Sequence, residues 1–230
     1  MIFYLNNLKI KYIYYFTKFL IQYYLYEKLF VKFEEKKFNS LIKFKKFQVN
    51  WFSFNCYYWL KYVDKMTGRV LEIGSFEGFS TLFILNKLNF NYLDCVDPWY
   101  GNEEMFDTKV AEKGLKPNLS EKNFDYNLRE FQGKFNKIKL TSDEFFLKNK
   151  QNYNLIFIDG SHEYKAIYND LKNSMNYINK GGIIIIDDIF FNYYKNLNEN
   201  ILFAVTKCLE EKKNFKILNL NYRQLILKNE

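Results

Sequence analysis

The chain has 230 residues, enough for one full domain with an appendage and too few for two domains of ordinary size. Lys, Asn, Ile, Phe and Tyr are abundant while Ala, Arg and Pro are scarce, a bias that AT-rich coding produces unaided, so aromatic excess alone carries no functional meaning. Residues 1–50 hold ten lysines against Glu27, Glu34 and Glu35, so most of the net charge of +8 belongs to the N-terminal segment.

That segment alternates aromatic and aliphatic clusters with lysines at helical spacing, which predicts one or two amphipathic helices with a cationic face. The favoured reading is a helical cap on the main domain; a membrane-surface anchor and a nucleic-acid arm are the alternatives, the latter without any accompanying RNA-binding strand motif. Lys9, Lys11, Lys18, Glu27 and Lys28 interrupt the apolar run, so no spanning helix is expected. Cys56, Cys95 and Cys208 stand far apart with one histidine in the chain, which indicates neither a zinc cluster nor a disulfide framework and suits a reducing, cytoplasmic setting.

From residue 69 the texture changes. Short apolar runs at Val70–Ile73, Tyr92–Val96, Lys137–Leu140, Leu155–Ile158 and Ile183–Ile186 alternate with polar helical stretches, the pattern of βαβ units and a parallel sheet. The clearest helix runs from Tyr164 to Ile178, with Gly181 and Gly182 expected to terminate it. Four consecutive isoleucines suit a central strand buried on both faces. Phe215–Leu218, Asn219–Asn221 and Tyr222–Leu227 read as strand, turn and strand, an antiparallel pair closing the sheet. The predicted fold is thus a Rossmann-like, doubly wound α/β sheet with an antiparallel C-terminal strand, residues 51–230, carrying a basic aromatic helical extension, residues 1–50.

Four motifs carry chemistry. Glu72-Ile73-Gly74-Ser75-Phe76-Glu77-Gly78 is an acidic strand end followed by a glycine-bracketed turn, with Gly74 and Gly78 free to adopt angles that other residues avoid. Its G-x-x-x-G spacing departs from that of a nicotinamide dinucleotide site, and Glu72 with Glu77 is expected to suit a cationic ligand rather than a pyrophosphate. In Asp94-Cys95-Val96-Asp97-Pro98, Asp97 is placed to accept ribose hydroxyls, while Asp94 reads as a solvent or strand-face residue. Asp159-Gly160-Ser161-His162 holds the only histidine at the end of a central strand, where open α/β sheets bind ligands. Asp187-Asp188 follows the isoleucine strand, and three carboxylates converging with Asp159 suggest a hard divalent ion, Mg²⁺.

Together LEIGSFEGFST, the VDPW after the second strand, NLIFIDGSHEY and KGGIIIIDDI resemble the class I S-adenosylmethionine-dependent methyltransferases over roughly residues 50–230. The resemblance is nearest to the group that includes metal-dependent sugar and macrolide-glycoside O-methyltransferases. It implies that Glu72, Gly74, Ser75 and Gly78 line the cofactor, that Asp97 binds its ribose and that Ser142 and Asp143 lie near adenine. It implies Asp159, Asp187 and Asp188 as metal ligands and His162 as base; Asp188 departs from the Asp-Asn pair of catechol-type relatives. The implied substrate is a small molecule or glycan, with no specific nucleic acid. A catechol-type acceptor and a non-catalytic scaffold acting through the basic helices are the competing readings. Tyr100–Phe124 is expected to form a lid and Phe190–Tyr194 an aromatic wall. Peripheral membrane contact and homo-oligomerisation through the N-terminal segment complete the expectations.

Overall fold

The computed structural model describes residues 10–100, 114–190 and 200–230. In chain order the elements are helices α1 (Ile10–Gln22), α2 (Lys28–Leu41) and α3 (Cys56–Val63), then β1 (Arg69–Ile73), α4 (Phe79–Lys87) and β2 (Tyr92–Val96). There follow α5 (Pro117–Leu128), β3 (Asn136–Ile138), α6 (Ser142–Lys148), β4 (Tyr153–Ile158) and α7 (Tyr164–Tyr177). The chain ends with β5 (Ile178–Ile186), α8 (Ile201–Glu211), β6 (Phe215–Leu220) and β7 (Leu225–Asn229). The seven strands form one sheet in the order β3-β2-β1-β4-β5-β7-β6, in which β7 alone runs antiparallel to its neighbours.

Sequential strands run outward from β1 in one direction, and β4 begins the other half, so the strand order reverses between β1 and β4. Such a reversal leaves a crevice outside the carboxyl ends of the strands. The isoleucine run sits between β4 and β7, with Ile184, Ile185 and Ile186 fully buried, as a strand covered on both faces requires.

Two boundaries differ from expectation. The α7 helix ends at Tyr177, and Ile178 already pairs with Tyr153; the ladder then shifts register so that Ile183 faces Leu155. Gly181, with φ +78°, lies inside β5 at this irregularity instead of ending the helix. The C-terminal turn also lies further along. Asn221 accepts from the backbone of Arg223 (2.7 Å) and Gln224 (2.6 Å), so Arg223 sits in the hairpin turn instead of in a strand.

The N-terminal segment forms an almost continuous helix from Ile10 to Leu41, with one wider π turn at Tyr23–Glu27. The extra residue in that turn keeps the inward stripe in phase, so Tyr12, Phe16, Phe19, Glu27, Val31 and Phe38 are all buried. α1 lies against the edge strand β6, and the Tyr12 hydroxyl hydrogen-bonds Thr206 of α8 at 2.9 Å. Phe52 packs among Trp59, Phe83 and Phe157, so part of the aromatic excess fills the seam between this segment and the sheet. Among the described residues, no helix is long and apolar enough to cross a membrane. The three cysteines are buried and free.

Gly74 marks the tightest point of the sheet's upper edge. Its φ is +86°, and a Cβ there would lie 2.0 Å from the Asp159 carbonyl oxygen, a backbone atom that cannot rotate away. Gly74→Ala is therefore expected to cost about 3 kcal/mol or more, from strain and displacement of the β4 end together. Thermal unfolding of the purified variant measures it, and an unchanged Tm would show that the two strand ends separate freely.

Candidate active site at the carboxyl edge of the sheet

β1, β2, β4 and β5 finish on one row. Ile73 is in register with both Val96 and Ile158, and Ile158 with Ile186. Backbone bonds continue one residue beyond: Gly74 N donates to Val96 O (2.9 Å), Asp159 N to Ile73 O (2.8 Å) and Asp187 N to Ile158 O (2.9 Å). Asp97 N likewise donates to Ile138 O at 3.2 Å. Four residues singled out from separate motifs thus stand side by side along one edge: Asp97, Gly74, Asp159 and Asp187.

The glycine turn is held from below and from the side. Glu72 is fully buried and accepts from the hydroxyls of Ser75 (2.9 Å), Thr81 (2.5 Å) and Ser80. Burial pushes its carboxyl above the ordinary value, and those hydroxyls offset part of the shift. Asp97 grips the turn from β2, its Oδ2 accepting from Phe76 N at 2.8 Å and its Oδ1 from Trp99 N at 2.7 Å. The Trp99 indole N–H returns a bond to the Phe76 carbonyl at 2.8 Å. Phe76 (φ +45°), Trp99 (φ +42°) and Asp188 (φ +47°) are the non-glycine residues with positive φ among those described, and all three lie on this edge. Backbone strain gathered at one place is a mark of a functional site. Gly78, at φ +79°, starts α4 and packs against Phe124 and Leu128.

Two acidic residues serve other ends than expected. Glu77 is buried, and both its oxygens are taken, by Gln48 N (2.8 Å), the Gln48 side chain (2.9 Å) and Asn123 (2.6 Å). It ties the N-terminal segment and α5 to the turn, so it is not the second anion facing a cationic ligand. Asp94 is buried rather than solvated, accepting from Tyr153 of β4 (2.9 Å) and Asn136 of β3 (2.7 Å), which ties β2 to its neighbour β3 and, past β1, to β4.

Ser142 and Asp143 open α6, behind a capping box made by Thr141 and Glu144. A cleft of about 660 Å³ lies beside them, lined among others by Trp99, Tyr100, Leu140, Thr141 and Glu144. Asp170, a residue of α7 that the sequence reading passed over, is buried, and its Oδ1 has no hydrogen-bond partner. From Pro117 onward the expected lid is helix α5, with Phe124 buried against Trp99 at 4.8 Å; residues 101–113 lie outside the described residues. Of the expected aromatic wall, Phe190 packs on Phe16 at 5.1 Å, and residues 191–194 lie outside the described residues.

On the other half of the sheet, ligand atoms of Asp159, Asp187 and Asp188 lie within 4.8 Å of one another. Burial and the neighbouring carboxylates push Asp159 well above its ordinary value, and Asp187 is pushed up to about 6 by burial and by Asp188. Asp187 Oδ1 is buried without a hydrogen-bond partner, an acceptor position that a cation would fill. Three hard carboxylate oxygen donors fit Mg²⁺. Asp188 meets two side chains: its Oδ2 lies 3.2 Å from His162 Nε2, and its Oδ1 accepts from Arg223 at 2.6 Å. Arg223 also reaches Asp187 Oδ2 at 3.5 Å. Sequence reasoning missed Arg223 because it placed this residue in a strand, although only three arginines stand in this lysine-rich chain.

The methyltransferase-domain family model matches residues 71–189, half of the chain, which spans every motif described above. The chain belongs to that methyltransferase-domain family. An uncharacterized protein of Acanthamoeba polyphaga mimivirus is 28% identical over 121 residues, 51% of this chain and 50% of its own length. The chain therefore spans about half the length of this curated relative. A candidate O-methyltransferase from Klebsiella pneumoniae superposes with a TM-score of 0.56 at 14% identity, covering 92% of this chain and 96% of its own. The O-methyltransferase NovP gives 0.54 at 14% identity over 70% and 72%. MycE, solved in complex with Mg, SAH and mycinamycin VI, gives 0.56 at 9% identity over 85% and 53%. At these identities the likeness shows a shared fold.

Asp170 supplies a test that is independent of any ligand. Burial pushes its carboxyl from 3.8 up to about 7, the Ser142 hydroxyl opposing the shift. Between those values the folded chain holds a proton that the unfolded chain has released, so stability falls as pH rises through this window. Asp170→Asn keeps the shape and removes the charge. Its stability relative to the parent is expected to rise from pH 4 to pH 8 by roughly 2–4 kcal/mol, at about 1.4 kcal/mol per pH unit between the two pKa values. Paired denaturation curves at the two pH values measure this, and a constant difference would place the ionisation elsewhere.

Proposed function

We propose that the protein is a metal-assisted O-methyltransferase that moves the methyl of S-adenosylmethionine to a hydroxyl of a sugar or glycoside. The observation that carries this reading is the convergence of Asp159, Asp187 and Asp188 with His162 on the edge that also holds the glycine turn. Gly74, Ser75, Gly78 and the buried Glu72 would shape the cofactor's bed, Asp97 would take ribose hydroxyls with its remaining lone pairs, and Ser142 and Asp143 would flank adenine beside the cleft. Asp159, Asp187 and Asp188 would hold Mg²⁺, which when bound acidifies and orients a coordinated hydroxyl.

With S-adenosylmethionine bound, its sulfonium would supply the methyl to the substrate oxygen and keep the electron pair of the broken carbon–sulfur bond, and His162 would take the hydroxyl proton. Asp188 orients the imidazole: with Nε2 donating to Asp188 Oδ2, Nδ1 is the basic nitrogen. MycE, in complex with Mg and mycinamycin VI, gives the acceptor class its support.

His162→Ala is expected to lower kcat about 10²- to 10⁴-fold while S-adenosylmethionine binds as in the parent by calorimetry. Equal losses in turnover and binding would remove the base assignment.

Arg223 favours a second reading, in which its guanidinium neutralises the carboxylates and no metal is needed. Calorimetric titration with Mg²⁺ in the absence of substrate separates the two. On the metal reading, Arg223→Gln removes a competing cation and binds Mg²⁺ about tenfold more tightly, a change of about 1.4 kcal/mol. On the other reading neither protein binds Mg²⁺, EDTA leaves turnover unchanged, and Arg223→Gln is the variant that loses activity.

A further inference from the structure

Once the inward stripe of the N-terminal helix is buried, an outward stripe remains. Tyr14, Lys18, Ile21, Leu25, Leu29, Lys32 and Lys36 follow one another at three- and four-residue steps, and all are exposed. Exposed large apolar side chains are confined almost wholly to this region: among the described residues, all except Tyr92, Tyr100 and Leu147 lie between Ile10 and Phe44. Leu29 is 79% exposed and Phe33 63%, values that a water-facing helix of a monomer has no reason to maintain. Lys18, Lys28, Lys32, Lys36, Lys37 and Lys43 are exposed among them.

The acids of the segment do not balance these lysines outward. Glu27 is buried and paired with Lys61, Glu34 pairs with Lys37 at 3.7 Å, and Glu35 accepts from Ser53 at 3.1 Å. A face that is apolar and cationic at once, and that lacks an exposed acid, is ill suited to a second copy of itself, since its lysines would meet lysines. Exposed aliphatic Ile21, Leu25 and Leu29 stand among the exposed aromatics Tyr24, Phe30 and Phe33, and aliphatic side chains add nothing to base stacking. Both features suit one partner, a bilayer whose headgroups carry negative charge: apolar side chains enter the headgroup boundary while lysines meet the phosphates.

We infer that the α1–α2 helix lies on an anionic lipid surface and holds the enzyme there. The placement bears on the active edge of the sheet. Phe16 packs on Phe190 (5.1 Å) and Phe19 on Tyr222 (5.0 Å), the first two residues beyond Asp188 and the second adjacent to Arg223. The surface helix is thus seated against the segment that carries Asp187 and Asp188 and against the turn that carries Arg223, so lipid contact places the active edge beside the membrane. A shallow groove lined by Lys32, Glu35, Lys36, Asn39, Ser40 and Lys43, three lysines against one glutamate that Ser53 already engages, provides net cationic ground for headgroups within the same face.

Binding is read without any methyl acceptor, so it stands or falls apart from the proposed reaction. Full-length protein is sedimented with sucrose-loaded vesicles of phosphatidylcholine, alone or with about 30 mol % phosphatidylglycerol, the anionic lipid supplying the surface potential that attracts basic segments. Binding is expected to the anionic vesicles, at least about tenfold more tightly than to neutral ones, and to weaken as salt screens the lysines. The triple variant Lys28→Glu, Lys32→Glu, Lys36→Glu and the double variant Leu29→Ser, Phe33→Ser should each lose at least about tenfold in affinity, because both charge and apolar burial contribute. Circular dichroism matching the parent shows that these exposed substitutions leave the fold intact. No binding to either vesicle, or equal binding to both, overturns the inference. So does a stable dimer in light scattering that the Leu29→Ser, Phe33→Ser variant dissociates, which would mean that a second copy covers the face, or displacement from vesicles by single-stranded oligonucleotide at physiological salt.

Discussion

The shared finishing line of β1, β2, β4 and β5 is the constraint on which the rest depends. Parallel strands in register bring residues far apart in sequence to one height, and the backbone bonds that run one step past Ile73, Val96, Ile158 and Ile186 fix that height. The cost of a buried parallel sheet is that its edge must be met by groups able to use the last donors and acceptors. Here those groups are a glycine turn and three aspartates. Positions where a strand's hydrogen-bonding ends are also positions where a ligand can replace it, which is why the crevice at the point of strand reversal becomes an active site.

Electrostatics divides that edge in two. On the β1–β2 side the carboxylates are already satisfied: Glu72 by three hydroxyls, Asp97 by two backbone amides. These carboxylates act as fixed struts that hold a strained turn in shape, an arrangement suited to a ligand bound the same way in every cycle. On the β4–β5 side the carboxylates crowd one another, and the Arg223 guanidinium compensates them from one flank. Buried like charges are costly unless a cation joins them, so this half keeps capacity for further positive charge or for a proton.

The N-terminal segment is bound to the catalytic edge through side chains rather than simply laid beside it. Glu77 receives Gln48, and the aromatic cluster of Phe16, Phe19 and Tyr222 reaches the loops after β5 and β6. An element that buries one stripe in the domain and leaves an apolar, cationic stripe outside has two faces with different solvents in view. Whatever meets the outer face therefore lies only a few side chains away from the acidic cluster.

The sequence by itself determined the class of fold and which polar residues stand at the strand ends. Alternating apolar runs and helical stretches encode a parallel sheet because burial on both faces demands continuous β-branched runs, and strand ends are legible because glycine and aspartate interrupt them. Asp97, Asp159, His162, Asp187 and Asp188 were all visible as strand-end residues for that reason. Tertiary structure alone decided the partners. Glu77 and Asp94 carry the same carboxylate as their neighbours, yet only the packing of Gln48, Asn123, Tyr153 and Asn136 assigns them to scaffolding. Arg223 enters the acidic cluster because an Asn221 turn shifts the last hairpin by two residues, a displacement that local propensity does not resolve. Asp170 lies on a helix face with no motif to mark it, and its elevated pKa arises from the apolar surroundings that the fold assembles around it. Local patterns state which groups reach the edge of the sheet; only the three-dimensional arrangement states which of them remain open to a ligand.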